Sequence, residues 1–169
     1  MKITSAQAAK VLRHLNDELR TLQIREQNSK SFVAALQEDP ESVRPEYNYS
    51  EMQKAQAETE LKIRKVRHAI NVFNTTTVIP EFGVTIDELL VYMPQLSKQI
   101  NKLSEMKNAL PKVRERGLGV QGSNIIDYRY ANYDIEQAEK DYNELSDKLA
   151  RAQTALDLIN NTVEMEIDI

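Results

Sequence analysis

Eleven residues, AINVFNTTTVI (Ala69 to Ile79), return 86 positions later as ALDLINNTVEM (Ala155 to Met165). Both stretches run from apolar residues through amides to threonine, the order expected where a helix hands the chain to a strand. The same offset carries Ile63, Val66, Ile70 and Phe73 onto Leu149, Ala152, Leu156 and Ile159. Agreement along several helical turns, and not only at the junction, constrains the chain to a repeated helix-to-strand unit.

The apolar spacing supplies the helices. The first is predicted to open on Thr4, with Gln7 completing a capping box, and to follow Ala8, Leu12, Leu15, Leu19 and Leu22. Alternating steps of four and three make a narrow coiled-coil seam. The register reaches Glu26 and Ser29, then is expected to recover at Val33 and Leu36. QEDPESVRPEYNYS, with two prolines and four acidic residues, reads as a solvated turn. Ser50 and Gln53 are expected to restart a helix with the seam Met52, Thr59, Ile63, Val66, Ile70 and Phe73, roughly 35 Å long at 1.5 Å per residue. NTTTVI after it reads as extended.

Past Pro80 and Gly83, Thr85 and Glu88 form a second capping box. The third helix follows Leu89, Met93, Leu96, Ile100 and Leu103, the spacing of the first helix over again, with Pro94 expected to kink it near Leu90. The fourth begins at Asp134 with Gln137 behind it and follows Ala138, Tyr142, Leu145, Leu149, Ala152, Leu156 and Ile159. The expected fold is mainly α: two repeated long antiparallel helical hairpins, four-helix and coiled-coil-like, with a small β element at the base. Residues 1–169 form one domain of two repeats, about 1–79 and 80–169.

TVEMEIDI alternates Val163, Met165, Ile167 and Ile169 with three acidic residues, as a strand with one buried face does. Its partner is expected in Thr75 to Ile79, in Ile125 to Tyr130, or in another subunit. An unpaired apolar edge invites association, so a homo-oligomer is expected.

The layout resembles the septicolysin-like family of uncharacterised bacterial proteins. The residues that carry the resemblance are the repeated hairpin, Ile70 to Thr77, the VTIDELL restart and the closing LDLINNT. Family members often close on an Asn-Trp pair, whereas Asn160 is followed here by Asn161 and the chain has no Trp. The resemblance implies a fold and self-association more than a pore-forming activity.

Composition narrows the chemistry. A net charge of −4 argues against general nucleic-acid binding. Without cysteine there is neither a disulfide framework nor a thiolate metal site, which suits a cytoplasmic protein. No stretch approaches the roughly 20 apolar residues of a membrane span. His14 and His68 fit no metal-ligand spacing, and Glu58 and Glu60 face different sides of a helix. EDPE and EMEID lack the position pattern of a calcium loop. No catalytic residue, metal or cofactor is expected, and the chain reads as non-enzymatic.

The segment PKVRERGLGVQGSNIIDYRYANYD departs from this background. It places Gly117, Gly119 and Gly122, three of the chain's four glycines, beside Lys112, Arg114, Arg116 and Arg129, with Tyr128, Tyr130 and Tyr133 beyond. Glycines admit close backbone approach, arginines grip phosphate or carboxylate with two N–H groups, and tyrosines stack a base. The glycine spacing matches neither the Walker loop nor the dinucleotide fingerprint. Two readings stand beside this: a hairpin tip kept soluble by charge, and a pocket for a small anionic ligand such as a nucleotide signal, concentrated by oligomerisation. The functional expectations are a self-associating helical scaffold or interaction protein, an oligomer that sequesters a phosphorylated ligand, and a chaperone-like coiled-coil protein.

Overall fold

Helix starts are decided by which side chain satisfies the orphan N–H groups of the first turn. In the computed structural model, which describes residues 1–115 and 127–169, both predicted Thr boxes form. The Thr4 hydroxyl accepts from Gln7 N–H (3.3 Å) while Thr4 N–H donates to the Gln7 amide (3.0 Å). Thr85 and Glu88 repeat the exchange at 3.2 and 3.0 Å. The chain order is β1 (Lys2–Thr4), α1 (Ser5–Ser29), α2 (Pro40–Val43), α3 (Tyr49–Thr76), β2 (Val78–Ile79), β3 (Val84–Thr85), α4 (Ile86–Lys107), β4 (Lys112–Arg114), β5 (Tyr128–Tyr130), α5 (Ile135–Thr162) and β6 (Glu164–Glu166). Helix accounts for 68% of the described residues, and the strands form small antiparallel pairs. The chain is mainly α.

It divides into two compact units, Met1–Thr77 with Asp157–Ile169, and Val78–Leu156. In the first, α1 packs against α3. Ala8 and Leu15 are buried from one side and Thr59, Ile63, Val66 and Phe73 from the other, each an expected seam position. A fully buried aliphatic side chain contributes roughly 1.5–3 kcal/mol, so these few contacts dominate the hairpin.

The seam ends in a polar clasp. At Glu26, where the spacing calls for an apolar residue, the carboxylate accepts from Gln53 Nε2 (2.6 Å), Gln56 Nε2 (2.9 Å) and Tyr47 Oη (3.0 Å). These donors, Gln56 foremost, hold the Glu26 carboxyl below its ordinary value, and burial is the first cause raising that of Tyr47. The expected recovery at Val33 and Leu36 does not occur. Helix α1 stops at Ser29, helical phase is lost, and the two side chains are 93% and 103% exposed.

Two boundaries move for reasons of local bonding. The tip expected to be a turn holds α2, because Pro40 sits at the start, where its missing N–H costs nothing, and Asp39 Oδ1 accepts from Glu41 N–H (3.1 Å). Helix α3 starts before Ser50, because Asn48 Oδ1 accepts from Glu51 N–H (3.2 Å). Gln53, expected to close a box with Ser50, serves Glu26 instead. At its other end α3 runs through Thr76, whose hydroxyl donates to Val72 O (2.7 Å). The hydroxyl is thus satisfied inside the helix, and a threonine that the pattern assigns to a strand is helical.

The closing strand finds a partner that the sequence reading did not consider. β6 pairs antiparallel with β1, with Ile3 opposite Met165, and Ile167 N–H donates to Met1 O (2.9 Å). Met165 and Ile167 are buried while Val163 and Ile169 are exposed, so the alternation has one buried face over a shorter span than expected.

In the second unit β2 and β3 form a hairpin whose turn ends at Gly83, with φ of +66° and its N–H bonded to Ile79 O (2.9 Å). Helix α4 continues past Pro94 and buries Ile86, Leu89 and Leu96. Asp134 caps α5 as expected, accepting from Glu136 and Gln137 N–H at 2.9 and 3.1 Å. No described helix is long and apolar enough to cross a membrane.

Two outcomes follow for stability. A Cβ at position 83 meets nothing within 4 Å, so the cost of Gly83→Ala is conformational alone. It should lower the unfolding free energy by about 1–2 kcal/mol, and an unchanged urea midpoint would refute the left-handed turn. Because the folded Glu26 carboxyl titrates below its ordinary value of 4.5, its contribution is complete above that value and lost as pH falls through the lower folded one. Glu26→Gln should weaken the protein at neutral pH and flatten the decline towards acid; parallel stability profiles for the two proteins would contradict this.

Candidate functional site

The residues singled out in the sequence become a ribbon. After α4, Pro111 breaks helical continuation, and Lys-Val-Arg meets Tyr-Arg-Tyr as an antiparallel pair, with aromatic and β-branched residues suited to extended backbone. Bonds from Glu115 N–H to Asp127 O (2.8 Å) and from Ala131 N–H to Pro111 O (3.1 Å) extend the ladder at both ends.

Register sorts the side chains. Lys112 lies opposite Tyr130 and Arg114 opposite Tyr128, with Val113 opposite Arg129 between them. Opposed residues share a face and successive residues alternate, so Lys112, Arg114, Tyr128 and Tyr130 occupy one face and Val113 and Arg129 the other. All six side chains are exposed. Lys112 Nζ stands 4.0 Å from the Tyr128 ring centroid and 5.4 Å from that of Tyr130, within cation–π range. Arg129 pairs with Glu115. Tyr133 contributes differently: its hydroxyl donates to Met106 O (2.9 Å), in the last turn of α4, and so ties the ribbon's exit to that helix.

Thus four of the expected binding residues share a surface, Arg129 faces away, and Tyr133 is an anchor. Arg116, Gly117, Gly119 and Gly122 lie outside the described residues. The face offers two cations and two aromatic rings, the chemistry of a surface that holds a phosphate while stacking a planar group.

Elsewhere the acidic runs have structural partners. Asp39 caps α2, Glu41 pairs with Arg44 (2.6 Å), and Asp168 pairs with Lys65 (3.2 Å). His14 and His68 are exposed, and among the described residues no group of three or more His, Asp or Glu could hold a metal ion. The sequence reading missed the Glu26 clasp, although a carboxylate on an otherwise apolar seam was its visible signal.

No protein-family model and no curated protein matches the chain. Among solved structures, a functionally unknown conserved protein from Corynebacterium diphtheriae is similar over 98% of this chain and 100% of that one. The TM-score is 0.57 at 16% sequence identity. At that identity the likeness is one of fold.

Proposed function

We propose that the chain is a non-enzymatic, cytoplasmic interaction protein, built from a duplicated helical hairpin, that binds a phosphorylated planar ligand such as a nucleotide on the β4–β5 ribbon. The observation that carries this reading is the register, which groups Lys112, Arg114, Tyr128 and Tyr130 on one exposed face. The duplication is supported by α3 and α5, each of 28 residues and starting 86 positions apart, and by the matching Thr boxes that open α1 and α4. It is also the arrangement that a septicolysin-like resemblance implies.

A second reading, self-association, has one specific observation in its favour. Val33 and Leu36 stand almost fully exposed beside Phe32, an apolar group that water alone does not explain. The closing strand is not unpaired, since β6 pairs with β1.

Calorimetric titration with AMP and ATP tests the ribbon. Replacing both Tyr128 and Tyr130 by Ala should weaken binding at least about tenfold, because stacking one base is worth roughly 1–3 kcal/mol. Arg114→Gln should weaken it too, whereas Arg129→Gln, on the other face, should stay within about twofold. Equal losses from the two arginine variants, or no binding by the native chain, would reject the site. For self-association, native mass measurement should return an oligomer that Val33→Asp with Leu36→Asp converts to a monomer; a monomeric native chain disposes of that reading.

A further inference from the structure

The α1–α3 hairpin holds a concavity of its own, about 510 Å³, that the ribbon does not involve. Its α3 wall carries Arg64, Arg67, His68 and Asn71, its α1 wall Asn16, and its apolar floor includes Ile63. Positions 60, 64, 67 and 71 recur at helical spacing, so these side chains rise along one edge of the groove. On α1, Arg13 and Arg20 stand three before and four after Asn16, one turn to either side of it.

Charge is the unusual feature. The segment Lys62 to His68 holds Lys62, Arg64, Lys65, Arg67 and His68 without one acidic residue, in a chain whose net charge is −4. Of these five, Lys65 has a partner, Asp168. Arg64 and Arg67 make no ion pair among the described residues, although Glu60 stands one turn before Arg64 on the groove's rim. Like charges three apart on a helix destabilise it slightly, so hairpin stability does not account for the pair. Nor does burial of the seam, since both arginines are exposed while their neighbours Ile63 and Val66 are buried.

We infer that this groove is an anion site for a phosphate-bearing small molecule. Two guanidinium groups one turn apart can each present paired N–H donors to one tetrahedral oxyanion. His68 and the amide of Asn71 add donors on the same wall, while Asn16 Nδ2, which donates to Leu12 O (2.6 Å), keeps its second N–H for the ligand. Ile63 beneath them excludes water from one side of the anion and strengthens those bonds. The site draws on no residue of the ribbon and stands independently of it.

The test is a titration of the full chain with inorganic phosphate and with pyrophosphate, followed by amide resonance shifts. Shifts should cluster at residues 64–71 and around Asn16, and Arg64→Gln with Arg67→Gln should weaken binding at least about tenfold. Both positions are exposed, so the helix content of the variant should equal that of the native chain. Lys54→Gln with Lys62→Gln removes the same charge from α3 outside the groove and should leave affinity within about twofold. Equal losses in the two double variants would reduce the effect to general attraction and overturn the site, as would phosphate-independent spectra at millimolar concentration. Arg114→Gln, in the ribbon, should leave phosphate binding here unchanged, which separates failure of this site from failure of the ribbon.

Discussion

An apolar seam stabilises a hairpin only while both helices stay in phase, and the α1–α3 pair depends on that condition throughout. From Ala8 to Leu22 on α1 the steps of four and three keep one stripe facing Thr59, Ile63, Val66 and Phe73. The stripe closes at Glu26, where a carboxylate takes three hydrogen bonds from Tyr47, Gln53 and Gln56. A charged group at such a place is tolerated because each donor offsets part of its lost hydration. The same bonds fix the pairing: Glu26 can reach Gln53 and Gln56 only if the helices keep their register. One residue spacing thus supplies burial, and one polar cluster prevents the stripe from sliding.

Loss of phase explains most of what the sequence concealed. Val33 and Leu36 have the correct spacing, but spacing has meaning only within a continuous helix, and α1 has ended at Ser29. Thr75 and Thr76 look like strand residues until their hydroxyls bond back to the preceding turn. In both cases the place where a helix ends, and not the residue pattern, decided the outcome. The long periodic helices and both Thr boxes were legible because many residues report the same phase. β1 was not, because three residues are too few to display alternation, and its role depends on β6, whose residues pair with it from Glu164 to Glu166 at the far end of the sequence.

The ribbon shows the complementary limit. Composition drew attention to Lys112, Arg114, Tyr128, Arg129, Tyr130 and Tyr133, but composition has no direction. Pairing supplies it: once Lys112 stands opposite Tyr130, alternation sends Arg129 to the far face and leaves four side chains together. Tyr133, only three residues beyond β5, leaves the set because a helix-terminal carbonyl lies within reach of its hydroxyl. A register is a non-local property, so no reading of either tripeptide alone could have divided the group.

The two proposed anion sites also differ in what a ligand must bring. On the ribbon, Lys112 already rests against the Tyr128 ring, a contact worth about 0.5–1 kcal/mol when exposed to water. A bare phosphate that drew the ammonium away would lose that contact and leave the ring without a partner. A nucleotide would replace it, because the base stacks on the vacated ring while the phosphate holds the displaced lysine. As proposed, the ribbon would therefore favour ligands that couple a planar group to an anion. In the α1–α3 groove, Arg64 and Arg67 have no ion pair to give up among the described residues, and the floor there is aliphatic. Phosphate alone meets the needs of that groove, and a planar group adds little. On these two proposals, selectivity between the surfaces would follow from what each cation touches before the ligand arrives.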